Sequence, residues 1–493
     1  MKKKRISKSQ YTRGLQCVKN LWLYNYRKDL MEEVSDSKQA IFDQGHEVGE
    51  WARQYYKGGI MLEQGPEDIA GALEETQTLI KKGKKLLYEA TFMAEDVLVR
   101  CDILRKVGNA WHLIEVKSST QLKDAHLGDI AIQKYVLEAA GLKVAKAFLM
   151  IIDTSYVKDG PIDPHKLFKL EDVTEAIGGA EAEVPGTLKH FFKILANQKK
   201  EPAIDIGAHC SDPYDCDFCA YCWKDIPAHS IMNLPRLSQE IKDELRAKGI
   251  LKLKDFPKNI DLCSAAADYV HVAKTGKPII LEEEVKEFVG SLTYPLYHLD
   301  FETINPAVPL YDGLRPYMQM PFQVSLHIQQ KRNGPLKHLE YLADAKKDPR
   351  ADLVDFLIKS IGPTGTPLAY CAGFEKSVIK GLAGYSPRKA KKLLELAERF
   401  VDLAAPFRSR HVLLPKFCGS YSMKAVLPAL VPGMTYEGMA VGNGSDAQNA
   451  YKALLSATLT PEEDAQLRKD LIAYCGQDTL AMVKVLDWLI KKA

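Results

Sequence analysis

"YHLDFET", residues 297–303, decides how the second half of the chain is read. It closes an apolar run with Asp300 and Glu302 two positions apart, and in a strand residues i and i+2 project from the same face. Two carboxylates buried side by side repel each other and lose their water. A divalent cation between them offsets that cost. Asp-x-Glu triplets are common in long chains, so the meaning of this one depends on the acids that accompany it. Outward from it, the strand signal continues through "FQVSLHIQQ" (322–330), "LKHLEYLAD" (336–344) and "PLAYC" (367–371). Just past that last strand, "GFEK" sets Glu375 at the start of a helix. The final amphipathic helix, "RKDLIAYCGQDTLAMVKVLDWLIKK" (468–492), carries Tyr474 and Asp478 four residues apart and therefore on one face.

The first half has a different order. "LLYEATFMA" (86–94), "DVLVRCDILRKV" (96–107) and "AWHLIEVKSS" (110–119) are β-rich runs with very short connections, which predicts an antiparallel meander. A helix, "DAHLGDIAIQKYVLEAAG", ends on its glycine and leads to the strand "AKAFLMIID". Asp102 falls on the middle strand of the meander, with Glu115 and Lys117 two apart on the next, so hairpin pairing brings all three to one face. A carboxylate pair suits a metal, and a lysine beside it is a compact charge for a phosphate or a nucleophilic water. Glu89 lies on the first strand, and His46, in "GHEVGEWAR" (45–53), on an early helix.

A chain of 493 residues exceeds one ordinary domain. The expected organisation is α/β with mixed sheets: an N-terminal domain over 1–225, a helical connector over 226–290 and a C-terminal domain over 291–493. Within the connector, "LPRLSQEIKDELRAKGILKLKDFP" has two short amphipathic segments around a glycine, compatible with a helix-hairpin-helix or with a plain helical linker. The net charge of +3 is too small to identify a polyanionic partner, and "KKGKK" (81–85) and "RKAKK" (388–392) fit solvated helix faces. No run of about eighteen apolar residues is present, and "MKKKRISKSQ" leads into a polar helix, so the expectation is a cytoplasmic protein with no membrane partner.

Ten cysteines in such a compartment do not suggest a disulfide framework. Cys101, Cys263, Cys371, Cys418 and Cys475 are scattered and fit small apolar side chains. Cys210, Cys216, Cys219 and Cys222 crowd into "CSDPYDCDFCAYCW" (210–223), and Cys17 stands alone in "RGLQCVKNLWLY".

Asp-x-Glu on a first strand, an acid after a later strand and Tyr-x-x-x-Asp on a closing helix together resemble the tyrosine variant of the DEDD 3′ to 5′ exonucleases on a ribonuclease-H-like fold. The resemblance implies that Asp300, Glu302, Glu375 and Asp478 hold two Mg²⁺ or Mn²⁺ ions about 4 Å apart, with Tyr474 orienting the attacking water. The family usually has Asp at the second motif and Asn four residues before it, where this chain has Glu375 and Cys371. Asp402, in "RFVDLAAPF", is a further acid able to support the site. The first half resembles RecB-like PD-(D/E)xK nucleases on a restriction-endonuclease-like fold. That implies a metal site of His46, Asp102 and Glu115 with Lys117 as catalytic lysine. Gln133 resembles the Gln of that branch's motif, although Tyr135 follows at two residues instead of four. Nucleases of the CRISPR-adaptation type in this branch carry an early cysteine and a late group around a [4Fe–4S] cluster. By that resemblance Cys17, Cys210, Cys216 and Cys222 are the ligands, with Cys219 able to replace one, and zinc is the alternative metal. The two resemblances together imply a metal-dependent nuclease with two two-metal sites, acting on nucleic acid, DNA ends or single strands, beside basic channels. An RNA-processing exonuclease and a nucleic-acid-binding scaffold with a lapsed second site are the other compatible classes.

Overall fold

The apolar alternation of residues 86–116 forms three antiparallel strands in the computed structural model, which describes residues 4–65, 67–227, 229–456 and 458–493. The protein is mixed α/β, and it divides into two compact units, Met1–Asp225 with Pro306–Met318, and Ile226–Asn305 with Gln319–Ala493.

In the first unit, helix α1 (Lys8–Gln16) starts from a Ser7 capping box, in which Ser7 and Gln10 satisfy each other's backbone amides. The meander is β1 (Leu86–Ala94), β2 (Val97–Val107) and β3 (Ala110–Val116). Helix α2 (Asp124–Ala139) then crosses over to β4 (Val144–Ile152), which lies parallel to β3, and β5 (Phe168–Asp172) closes the sheet in antiparallel pairing. Two further links position functional groups. Ile6–Ser7 pairs with Val97–Leu98, which fixes where α1 begins. The β1–β2 ladder runs from Tyr88↔Ile103 to Ala90↔Cys101, and Glu89, opposite Asp102, has a φ of 60°, a conformation costly for a residue with a Cβ. Apolar residues from both sheet faces fill two cores. One lies against α1, α2 and the helix Gly178–Ala196, the other against the helix Asp36–Tyr55.

In the second unit the central strand is β6 (Leu296–Ile304), flanked by antiparallel β7 (Met320–Gln329), which pairs onward with β8 (Leu336–Leu342), and on the other side by parallel β9 (Thr366–Ala369) and β10 (Val401–Asp402). Period two sorts its faces. Tyr297, Leu299, Phe301, Val324, Leu326 and Ile328 enter an apolar core with helix α3 (Gly373–Tyr385) and its neighbours. The opposite face, of His298, Asp300, Glu302, Gln323, Ser325 and His327, is polar along its length and largely buried against the closing helix α4 (Pro461–Ile490).

Two boundaries differ from the sequence expectation. Residues 226–290 belong to the second unit instead of standing as a separate connector, because Ile279–Ile280 pairs with Val412–Leu413 and Ile231, Leu245, Leu253 and Phe256 form a local core. The expected helix-hairpin-helix has only its first helix, Gln239–Ala247; the segment after Gly249 is a single turn, Leu253–Asp255. The second difference is Pro306–Met318, an excursion between β6 and β7 that packs in the first unit, where the Tyr317 hydroxyl donates to the Ser118 carbonyl (2.6 Å) and Lys158 pairs with Asp312 (2.6 Å). Among the described residues no helix is long and apolar enough to cross a membrane.

Candidate metal centres

The polar face of β6 meets α4 and the start of α3 at a cavity of about 300 Å³ lined by Asp300, Glu302, Tyr370, Phe374, Tyr474 and Asp478. Glu302 and Glu375 are buried, Asp300 and Asp478 nearly so. Donor atoms of Asp300, Glu302 and Cys475 all lie within 4.8 Å of one another. Burial, then Asp478, Glu302 and Glu375, pushes the Asp300 carboxyl well above its usual range. Burial, followed by Asp478 and Glu375, raises Glu302 to about 8, and burial raises Glu375 to about 8. Asp478 rises less, to about 6, because burial is opposed by hydrogen bonds from Tyr436 and Tyr474 and by Lys424. The Tyr436 hydroxyl donates to Asp478 Oδ1 at 2.5 Å. Among the described residues, Glu375 Oε2 has no hydrogen-bond partner at all. Asp300, Glu302 and Asp478 thus line one pocket with Glu375 close by, and among the described residues no ammonium or guanidinium is bonded to any of the four, a donor set that fits hard divalent cations.

Tyr474 is buried, and burial followed by Asp478 raises its hydroxyl far above the usual value, so it stays a proton donor at neutral pH. Asp402 has another role. It accepts from the Cys371 and Ala404 amides, both at 2.9 Å, and pairs with Arg408 at 2.7 Å, so it braces the turn into α3. Cys371, four residues before Glu375, has a φ of 65° and is exposed.

In the first unit, Glu115 is 1% exposed and surrounded. Lys117 Nζ donates to Glu115 Oε1 (2.6 Å) and Asp129 Oδ2 (2.5 Å), Lys8 Nζ to Glu115 Oε1 (2.9 Å), and Gln133 Nε2 to Glu115 Oε2 (2.7 Å). Asp102 Oδ2 accepts from the Val116 amide at 2.7 Å, which ties β2 to the strand of Glu115 and Lys117. The two acids titrate in opposite directions. Burial and Glu115 push Asp102 up to about 7, whereas Glu115, penalised by burial, is held far below its usual range by Lys117 and Lys8. Glu89 is bound to Arg100 (2.8 Å). His46 is exposed on the helix Asp36–Tyr55 and takes no part in these hydrogen bonds, and the Tyr135 hydroxyl reaches Glu95 instead (2.8 Å).

Cys17, Cys210, Cys216, Cys219 and Cys222 line one small pocket with Asn20 and the fully buried Phe218. Asn20 Nδ2 donates to Cys216 Sγ (3.2 Å), Gln16 Nε2 donates to the carbonyls of His209 (2.8 Å) and Tyr214 (2.6 Å), and Arg13 pairs with Asp217 (2.6 Å). The end of α1 is thereby fastened to the cysteine loop. No three of the five sulfurs lie within 4.8 Å of one another.

Sequence reasoning missed Lys8, Asp129, Tyr436 and Cys475. Asp129 was discoverable, since it precedes Gln133 by one helical turn on the same face. Cys475 adjoins Tyr474, but only packing turns its thiol toward Asp300, 3.8 Å from Oδ2. Lys8 and Tyr436 reach their acids from 107 and 42 residues away and left no local signal.

A family model described as a domain of unknown function (DUF2779) matches residues 297–422. That span takes in Asp300, Glu302, Cys371, Glu375 and Asp402, and ends before Tyr474 and Asp478. A 217-residue stretch is 28% identical to an uncharacterized protein of Ureaplasma parvum serovar 3, covering 40% of this chain and 31% of that protein. The chain thus aligns with less than a third of that relative's length.

Proposed function

We propose that the protein is a metal-dependent nuclease that hydrolyses phosphodiester bonds of nucleic acid, DNA ends or single strands. In this reading the second unit is a ribonuclease-H-like exonuclease of the DEDD type and the first a RecB-like PD-(D/E)xK nuclease on a restriction-endonuclease-like fold. The observation that carries it is the pocket lined by Asp300, Glu302 and Asp478 with Glu375 close behind it, four largely buried carboxyl groups that among the described residues have no bonded counter-charge. Bound Mg²⁺ or Mn²⁺ would supply Lewis-acid activation of water and neutralise the leaving oxygen. The chain's own groups do the rest. Asp300 and Glu302 on a rigid strand, Glu375 at the head of α3 and Asp478 on α4 hold the cations. Tyr436 keeps Asp478 oriented, and the protonated Tyr474 hydroxyl orients the water that attacks the phosphorus. Phe374, 40% exposed at the rim, offers an apolar face to a base or sugar.

In the first unit Asp102 and Glu115 would hold a divalent ion, with Lys117 placed to meet the scissile phosphate. Four thiolates, from Cys17, Cys210, Cys216 and Cys222, would hold a [4Fe–4S] cluster, with zinc the alternative metal. Cleavage of end-labelled single-stranded DNA and RNA with Mg²⁺ or Mn²⁺ tests the reading. Asp300→Ala should remove one cleavage activity, Lys117→Ala the other, and the pair all of it. Binding without cleavage by the wild-type protein in either metal would refute the enzyme and leave a scaffold.

A further inference from the structure

The two acidic sites differ in charge, and the difference has a structural cause. In the second unit four carboxyl groups face one another with no bonded cation. In the first, Asp102, Glu115 and Asp129 face two ammonium groups, because Lys8 joins Lys117. Lys8 Nζ lies 2.9 Å from Glu115 Oε1 and 3.5 Å from Asp129 Oδ1. Glu89 is already paired with Arg100. Once all three carboxyl groups are ionised, as they must be to ligate a cation, three negative charges against two positive leave a net charge of −1, enough to attract one divalent ion and too little to hold two. A separate observation marks the place for that one ion. Gln133 is fully buried, its amide nitrogen is bound to Glu115, and among the described residues its Oε1 has no partner. The amide nitrogen of the same side chain lies against Glu115 Oε2 (2.7 Å) and Asp129 Oδ1 (3.3 Å), and a buried acceptor left unpaired at its other end is a ready ligand for a cation.

Lys8 is held in place from both ends of its helix. Before it, Ile6–Ser7 pairs with β2 and Ser7 caps α1; at the far end, Gln16 and Arg13 bind the cysteine loop. Its ammonium is therefore a fixed part of the site. Resting on the nuclease reading of the first unit, we propose that Lys8 takes the position of a second metal ion, so that this site works with a single divalent cation and the Lys8 ammonium as its partner charge. The second unit, where among the described residues no lysine is bonded to the four acids, takes two.

Full-length protein carrying Asp300→Asn with Glu302→Gln confines strong binding to the first unit, and Mn²⁺ bound per chain can be counted there by electron paramagnetic resonance. With Lys8 present the expected count is one. Lys8→Arg, which keeps the charge, should stay at one, and Lys8→Met and Lys8→Gln should rise to two. Two ions in the presence of Lys8, or one ion in both neutral variants, overturns the role of Lys8 and leaves the nuclease reading standing. No bound Mn²⁺ in any form overturns that reading together with the proposal. The count with Lys8 intact decides the matter even if the neutral variants fail to fold.

Discussion

Glu302 and Glu375 are the residues at which the account is most exposed to measurement. Both are pushed up to about 8 from an ordinary 4.5, chiefly by burial. A carboxyl that holds its proton more tightly in the folded chain stabilises that chain fully below its unfolded value, and the contribution is lost as pH rises through the folded value. Metal-free protein should therefore melt at progressively lower temperature between about pH 5 and 8, and Glu302→Gln with Glu375→Gln should flatten that slope. The same protons must leave when a cation enters. At pH 7, saturation with Mn²⁺ should release at least two protons per chain from the second unit, about one each from Glu302 and Glu375 with Asp300 adding to them, read with an indicator dye in weak buffer. Binding without proton release would show that the cation sits elsewhere. Asp300 and Glu302 were legible in the sequence because strand period alone puts them together. The proton affinity of Glu375 was not, since it depends on burial that no local pattern encodes.

At the level of elements, the polar face of β6 and β7 needs α4 to satisfy it. Thr479 on α4 shares hydrogen bonds with Ser325 (2.7 Å) and His327 Nδ1 (2.8 Å), and Gln323 Nε2 donates to the Leu471 carbonyl (2.9 Å). Thr479 is the residue after Asp478, so this seam sets the register of the helix that presents Asp478 and Tyr474. Thr479→Val keeps the shape but removes a hydrogen bond from two buried partners, leaving Ser325 only its bond to His338 (2.9 Å), and should lower stability to urea by about 1–3 kcal/mol. Mn²⁺ affinity should weaken with it, and a variant as stable as wild type would contradict the role of the seam. The meander and the long closing helix were readable from periodicity and short connections. The polar burial was not, because a strand reading "VSLHIQ" gives one apolar face and leaves open what covers the other.

For the whole molecule, the sequence order singled out two groups of acids and a group of cysteines that the fold draws together, yet missed what crosses long stretches of chain. Pro306–Met318 departs from the second unit's numbering to pack in the first, and Lys8 meets Glu115 only through the folded sheet. A cluster joining Cys17 to Cys210–Cys222 would close a loop of nearly two hundred residues, worth about 5 kcal/mol on the chain-entropy relation for one cross-link. Anaerobically purified protein should absorb near about 400 nm. Cys17→Ser should abolish the band and Cys219→Ser retain it, whereas a colourless protein retaining its native metal would assign zinc. The most direct measurement is anomalous diffraction from crystals equilibrated with Mn²⁺ at millimolar concentration. Two peaks about 4 Å apart among Asp300, Glu302, Glu375 and Asp478 are the predicted result; an empty pocket with those four carboxyl groups in place would contradict the account.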